Sequence, residues 1–127
     1  MSIFVYNTYK EDHHYHPNNY YIGRPSILGN PYSHLPEEET LAVYKCNSRE
    51  EAIEKYSSYF DLMYGSNLEF TKIIDEIYEK YKQGEDIYLE CFCYPEPCHG
   101  DVISKKLSGR LLKEKMQEMK KKFRNDT

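Results

Sequence analysis

The sequence predicts an α/β fold, a single small Rossmann-like sandwich in which helices flank a partly parallel sheet. Short segments that alternate apolar and other residues, as strands do, are interleaved with longer segments whose apolar residues recur at helical spacing. Such interleaving is typical of strands joined by helices. With 127 residues, the chain is expected to form one domain, residues 1–127, with enough core to fold without disulfides.

The first half of the chain is predicted to hold three short strands. Alternation predicts strands at 3–8 and 20–22, separated by a polar loop. Two glycines, two prolines and an asparagine then fall within 23–31, a composition that predicts an ordered turn. The third strand is predicted at 40–46.

Two helices are predicted in the middle of the chain. Ser48 precedes Glu51 by three residues, the spacing of a capping box, in which each side chain satisfies a backbone donor of the other residue. An apolar stripe continues to position 63, and Gly65 ends this helix. The second helix is predicted over 68–83, with Gly84 as a left-handed stop.

The last strand is predicted at 86–93, with four alternate residues on one face. These residues are Ile87, Leu89, Cys91 and Cys93. A helix is then predicted from 99–101 onwards, and its basic, amphipathic continuation covers 110–124, with Gly109 as a candidate break. Docking of this tail through its methionines is the favoured interpretation, and binding to nucleic acid or to a partner helix is the alternative.

Composition and charge exclude several classes of protein. A net charge of −4 argues against a general nucleic-acid-binding surface, which would carry a basic surplus. No apolar run approaches the ~20 residues of a membrane span, and the first residues lack the features of a signal peptide. We therefore expect a cytoplasmic protein with reduced cysteines and no membrane contact.

The stretch "CFCYPEPCHGD", residues 91–101, carries the candidate catalytic residues Cys98 and His99. They lie where the last strand gives way to a helix, an edge at which α/β folds bind ligands against exposed helix-start amides. The helix dipole favours a thiolate on Cys98 and a neutral ring on His99. Gly100 and Asp101 belong to the same helix start, and Asp101 is suited to cap it.

A zinc site and a redox dithiol are the alternatives for this stretch. Cys91, Cys93, Cys98 and His99 suit zinc as residue types, but two inward-facing strand cysteines and an adjacent Cys–His pair are poorly spaced for one ion. Cys91 and Cys93 are therefore predicted to be core residues, with no metal bound. A redox dithiol would need two residues between its cysteines at a helix start, and this stretch lacks that spacing.

The stretch "GRPSILGNP", residues 23–31, is the second candidate binding loop. Gly23 and Gly29 are expected to adopt backbone conformations that other residues resist, and Pro31 restricts the residue before it. Arg24 offers a forked donor for a phosphate or carboxylate. Ser26 and Asn30 add polar groups to the predicted ligand site. The alternative is a structural turn in which Arg24 pairs with a carboxylate.

Three blocks of the sequence resemble the domain-of-unknown-function 4326 family of bacteria and their phages. They are "YYIGRPSILGNPY", "REEAIEKY" and "LECFCYPEPCHGDVI", which follow in the family's order within residues 20–104. The chain departs at Leu28 and Phe92, where the family often has tryptophan. The last block is also similar to the domain-of-unknown-function 488 family. The resemblance implies a Rossmann-like domain with both loops near one pocket, and it brings no assigned reaction.

The loops together predict a small nucleotide-like ligand and no cofactor. In one hypothesis, the protein is an enzyme acting on a nucleotide, nucleoside or nucleotide sugar, with His99 as acid or base and Cys98 as nucleophile or positioning group. In the other, it sequesters or senses a signalling nucleotide at the same anion site. A zinc-bound interaction module is a distant third. Both main hypotheses require the loops carrying Arg24 and His99 to meet.

Overall fold

The computed structural model of the protein describes residues 2–7, 16–24, 26–33, 44–91 and 98–125. In chain order its elements are β1 (Ile3–Asn7), β2 (Asn19–Tyr21), β3 (Tyr32–Ser33), β4 (Tyr44–Lys45), α1 (Arg49–Met63), α2 (Leu68–Lys82), β5 (Ile87–Cys91) and α3 (His99–Asn125). The predicted α/β class is confirmed, since three helices accompany a small parallel sheet. Parts of the strands predicted at 3–8, 40–46 and 86–93 lie outside the described residues.

The main sheet has the order β1-β5-β2, and both outer strands run parallel to β5. Ile3 pairs with Ile87 and Asn7 with Cys91, so β1 and β5 end together. A separate parallel pair joins β3 to β4. The carboxyl ends of the three main strands therefore meet at one edge, where ligands of open α/β sheets bind.

The two middle helices form where their end signals were predicted. The Ser48 side chain accepts a hydrogen bond from the Glu51 amide at 3.1 Å, which confirms the capping interaction. Asn67 caps α2 in the same way through the Phe70 amide at 3.0 Å. After each helix a glycine adopts a positive φ, 89° at Gly65 and 94° at Gly84. Glycine suits these stops because it has no Cβ to clash there.

The apolar faces of all three helices share one core with one side of β5. Ile87, Leu89 and Cys91 form that side, as the alternation predicts, and all three are buried. They share one core with residues of the helices. The helical members include Tyr56, Phe60, Phe70, Ile74, Ile77, Tyr78, Ile103, Leu107 and Leu111. The helices therefore fix the position of β5, and with it the carboxyl edge of the sheet.

The last helix, α3, runs without interruption from His99 to Asn125. The predicted break at Gly109 is wrong. A helical glycine costs only about 1 kcal/mol relative to alanine, and Leu107 and Leu111 are buried on either side of it and hold the helix against the core. No helix among the described residues combines the length and the apolar character that crossing a membrane requires.

The methionines of α3 do not dock it. Met116 and Met119 are 51% and 60% exposed, so the favoured interpretation of the tail is wrong. Contact with the rest of the protein runs instead through Leu111 and through Glu114, which accepts a hydrogen bond from the Tyr78 hydroxyl at 2.6 Å. The methionines lie on the other side of the helix.

Candidate functional site

Ile22 joins the two predicted loops at the carboxyl edge of the sheet. Its amide donates to the Glu90 carbonyl at 2.9 Å, which continues the pairing of β2 with β5. Its carbonyl lies 2.6 Å from Nε2 of His99, the first residue of α3. The turn that carries Arg24 therefore begins directly beside the start of α3.

His99 is buried at this junction as a hydrogen-bond donor. Because a carbonyl oxygen can only accept, Nε2 carries the proton that bonds Ile22. Burial lowers the pKa of His99 to about 4, against a raising effect of the Ile22 carbonyl and with a further lowering by the Arg24 charge. The Tyr56 ring packs against His99 at 4.9 Å between centroids. His99 is thus neutral at pH 7, and burial rather than the predicted helix dipole is the main cause.

Asn30 and Ser26 hold the turn together. The Asn30 amide donates to the Ala52 carbonyl at 3.1 Å and accepts from the Tyr32 amide at 2.9 Å, so it fastens the turn to α1 and to β3. The Ser26 hydroxyl accepts from the Leu28 amide at 3.2 Å. The side chains of Asn30 and Ser26, both predicted to bind ligand, therefore form hydrogen bonds that stabilise the turn.

Arg24 closes the turn and remains only half-buried. Its Nη1 donates to the carbonyl of Asn30 at 2.6 Å, next to the half-buried Pro31. The Arg24 carbonyl accepts from the Tyr21 hydroxyl at 2.9 Å. A guanidinium has five N–H donors in a planar fork. The Arg24 side chain can therefore donate to its own turn and to an anion at the same time.

The two turn glycines are required by close contacts rather than by backbone dihedrals. Neither Gly23 nor Gly29 has a positive φ, so the expectation of an unusual backbone conformation is wrong. A Cβ on Gly23 would lie 2.5 Å from the Tyr21 hydroxyl oxygen. On Gly29 it would lie 3.0 Å from the Ser26 carbonyl and 3.2 Å from Cα of Arg24. The turn is too tight for a side chain at either position.

The start of α3 is capped by groups of the chain itself. Cys98 Sγ accepts from the Gly100 amide at 3.3 Å, and the Asp101 carboxylate accepts from the Cys98 amide at 3.2 Å. Cys98 is therefore the N-cap residue of α3, and Asp101, the third helical residue, pairs with the Cys98 amide as the acidic residue of a capping box does. Gly100 is buried where a Cβ would lie 2.9 Å from Ile22 and 3.1 Å from Val5. The glycine lets α3 approach the sheet closely.

Two cysteine thiols face each other beneath this cap. Cys98 Sγ lies 3.7 Å from Cys91 Sγ, and both residues are buried outside any disulfide. The predicted core position of Cys91 is confirmed, while Cys93 lies outside the described residues. Within the described ranges, no three histidine, cysteine, aspartate or glutamate side chains are grouped as metal ligands.

Comparison with known proteins places the chain in a family. The family described as Domain of unknown function (DUF4326) matches residues 6–109. The chain belongs to the DUF4326 family. The match includes both loops and begins earlier than the motif blocks, which start at residue 20. No curated protein and no solved structure matches the chain.

This DUF4326 chain also has a buried carboxylate that the sequence motifs did not reveal. Glu90 lies on β5, on the face opposite the helical core, and is 7% exposed. Asn19 Nδ2 donates to Glu90 Oε1 at 3.1 Å, and the Tyr6 hydroxyl donates to Asn19 Oδ1. Tyr21 pairs with Glu90 in the strand register. These four residues, Tyr6, Asn19, Tyr21 and Glu90, are called the Glu90 cluster below.

Tyr21 links the Glu90 cluster to the turn that carries Arg24. Tyr21 belongs to the cluster through its register with Glu90, and its hydroxyl donates to the Arg24 carbonyl. A buried carboxylate is expensive unless its oxygens accept hydrogen bonds. The turn that carries Arg24 and the buried Glu90 are therefore joined at the carboxyl edge through Tyr21.

Proposed function

We propose that this DUF4326 chain binds a nucleotide or a nucleotide derivative at the carboxyl edge of its sheet. Arg24 would hold the phosphate, and the Glu90 cluster would hold the sugar or the base. The observation that carries the proposal is the link through Tyr21, which ties the Arg24 turn to the strand position of Glu90. The position agrees with the rule that open α/β sheets bind ligands beyond the carboxyl ends of their strands.

The phosphate part of the proposal depends on Arg24. The arginine belongs to a turn held by the Asn30 and Ser26 hydrogen bonds, so its position is set before a ligand arrives. Preorganisation reduces the entropy lost on binding. A guanidinium also matches phosphate geometry through two parallel N–H donors. The amides at the start of α3 contribute less, since Cys98 and Asp101 already pair with two of them.

The sugar or base part depends on Glu90. An ionised carboxylate accepts from paired hydroxyls of a ribose or from an exocyclic amine of a base. Tyr21 pairs with Glu90 in the strand register and is half-buried, and a tyrosine ring provides a face on which a base stacks. Tyr6 is 1% exposed, so its part is to hold Asn19 through its hydroxyl. A free phosphate would have no use for this cluster, so the cluster favours a nucleotide over a simple anion.

The remaining parts of the proposal concern the setting of the site. The domain would be a Rossmann-like sandwich of a cytoplasmic bacterial or phage protein, related in its last block to the domain-of-unknown-function 488 family. A phage protein that sequesters or senses a host signalling nucleotide fits this description. The buried, internally bonded His99 and Cys98 favour such a binding role over catalysis.

Calorimetric titration with four probes tests the proposal. The probes are adenosine, adenosine monophosphate, ribose 5-phosphate and inorganic phosphate, each repeated with a second base. Arg24→Ala should weaken binding of the phosphorylated probes by about 10- to 100-fold, the loss of a charge-assisted contact, and leave nucleoside binding unchanged. Glu90→Gln should weaken binding of the nucleoside and leave binding of inorganic phosphate unchanged. Lys72→Ala, on the exposed surface of α2, is the matched control for loss of positive charge.

Two results would refute the nucleotide proposal. One is that none of the probes binds at millimolar concentration. The other is that Arg24→Ala and Glu90→Gln weaken all probes alike, which would mean that they act through the fold. Far-ultraviolet circular dichroism and the Tm of each variant distinguish this second case, because Glu90→Gln keeps the shape of the side chain.

Catalysis is the second candidate, and one contact favours it. Cys98 Sγ accepts the Gly100 amide at the start of α3, an arrangement that stabilises a thiolate. If the protein turns over a bound nucleotide, chromatography should detect product from the tightest probe. Cys98→Ser should then slow that turnover by roughly a hundredfold with little change in affinity. Unchanged probe after prolonged incubation would leave the binding role alone.

A further inference from the structure

The outward face of α3 carries a row of apolar side chains with no cover. Leu112, Met116, Met119 and Phe123 are 62%, 51%, 60% and 69% exposed. Four large apolar residues in one row are unusual on the surface of a monomer. We call these four residues the apolar stripe.

The apolar stripe points away from the rest of the protein. Successive residues of an α-helix are rotated by about 100°, which places the stripe roughly 130° around the helix from the buried Leu107 and Leu111. Glu114 lies on the buried side and accepts from the Tyr78 hydroxyl on α2. The side of α3 that contacts α2 therefore does not cover the stripe, whose four residues are exposed in the part of the chain that the structure describes.

The stripe has the spacing of a helix–helix seam and a uniform charge on both sides. Its members are separated by four, three and four residues, the a and d positions of a heptad repeat. The flanking e and g positions are all lysine and all exposed. These lysines are Lys113, Lys115, Lys120 and Lys122. Residues at e and g determine partner choice by charge in coiled coils.

We propose that the apolar stripe binds an acidic amphipathic helix of another protein, as a short two-stranded coiled coil. Glutamates at the e and g positions of the partner would pair with the four lysines, and apolar a and d residues would cover the stripe. Because α3 is already folded onto the core, only the partner loses conformational freedom on binding. The proposal is independent of the nucleotide site.

Charge and width argue against the other two occupants. A second copy of the chain would bring lysine opposite lysine at every flanking position, in either a parallel or an antiparallel pair, and like charges oppose pairing. A membrane surface would favour an apolar face wider than roughly 100°, whereas the stripe covers about 60° by the same helical rotation. The narrow seam favours a helix.

A designed peptide tests the charge rule directly. The probe is a labelled three-heptad peptide with leucine at a and d and glutamate at every e and g, compared by fluorescence anisotropy with the same peptide carrying lysine there. The full-length protein should bind the glutamate peptide at least tenfold more tightly than the lysine peptide. Met116→Asp should remove this binding. Leu68→Asp, at an exposed apolar residue of α2, should leave it intact.

A charge reversal provides the decisive comparison. Replacing the four flanking lysines by glutamate should make the protein prefer the lysine peptide. Unspecific apolar contact cannot produce such a switch of preference. Equal affinity for both peptides, or binding that survives Met116→Asp, would overturn the proposal. So would self-association in sedimentation experiments that Met116→Asp abolishes, or stripe-dependent binding to phosphatidylserine vesicles without binding to the glutamate peptide. All of these variants lie on the exposed surface, so the fold should be retained.

Discussion

Acidification from pH 7 to pH 5 is expected to destabilise the protein through His99. In the folded chain, burial lowers the pKa of this ring to about 4, whereas an unfolded histidine titrates near 6.5. Between these two values the unfolded chain binds a proton that the folded chain does not. The free energy of unfolding therefore falls as the pH falls through this window.

The size of the effect follows from the two pKa values. One pKa unit corresponds to about 1.4 kcal/mol, so the full contribution of His99 is about 3 kcal/mol, reached below pH 4. About 2 kcal/mol of it should already be lost between pH 7 and pH 5. Urea unfolding, followed by circular dichroism at pH 7, 6 and 5, measures this change.

The variant His99→Gln separates this effect from that of the carboxylates. Glutamine keeps a side-chain N–H that can reach the Ile22 carbonyl, but it does not titrate. Its free energy of unfolding should fall by about 2 kcal/mol less than that of the wild type between pH 7 and pH 5. His16→Gln, at an exposed histidine, is the control for loss of an imidazole. Parallel pH curves for the wild type and His99→Gln would refute the reasoning.

Packing around the site gives two further predictions, both measured by urea unfolding. Gly100→Ala should destabilise the protein by about 1–2 kcal/mol, because the new Cβ would meet the buried Ile22 at 2.9 Å. Gly109→Ala, in the same helix but with no atom near its Cβ, should stabilise the protein by about 0.5–1 kcal/mol. Equal changes in stability for the two variants would show that the contact with Ile22 does not matter. Tyr56→Phe should lose about 1–2 kcal/mol, since the buried Leu28 carbonyl loses its donor at 2.8 Å.

Local signals predicted most of the fold. The Ser48 cap and the two glycine stops depend on interactions within a few residues, so the sequence alone predicted them. The Asn67 cap is equally local but was not predicted. Gly109 was misjudged because the burial of Leu107 and Leu111 depends on helices far away in the chain. The methionines were misjudged for the same reason. Which side of α3 meets the core is decided by tertiary packing.

The candidate site was predicted less completely than the fold. That the Arg24 turn begins beside the start of α3 follows from topology, since strands that run parallel bring their carboxyl ends together. The sequence did not reveal why residue 23 must be a glycine, because the reason depends on the position of the Tyr21 hydroxyl in the folded chain. Glu90 could have been noticed as a carboxylate inside an alternating strand that pairs on both edges. Its burial depends on neighbours that only the fold brings near.

The distribution of charge at the start of α3 favours Arg24 as the group that would hold the proposed anion. Asp101 already places a carboxylate on the Cys98 amide, and Gly100 donates to Cys98 Sγ, so the positive end of the helix is partly compensated by the chain itself. A phosphate bound there would face the Asp101 charge at close range. Arg24 is half-buried on the neighbouring turn. Burial is the main cause of the lowered pKa of His99, and the Arg24 charge lowers this pKa further. An anion beside Arg24 would offset this effect, so ligand binding and the protonation of His99 should be coupled.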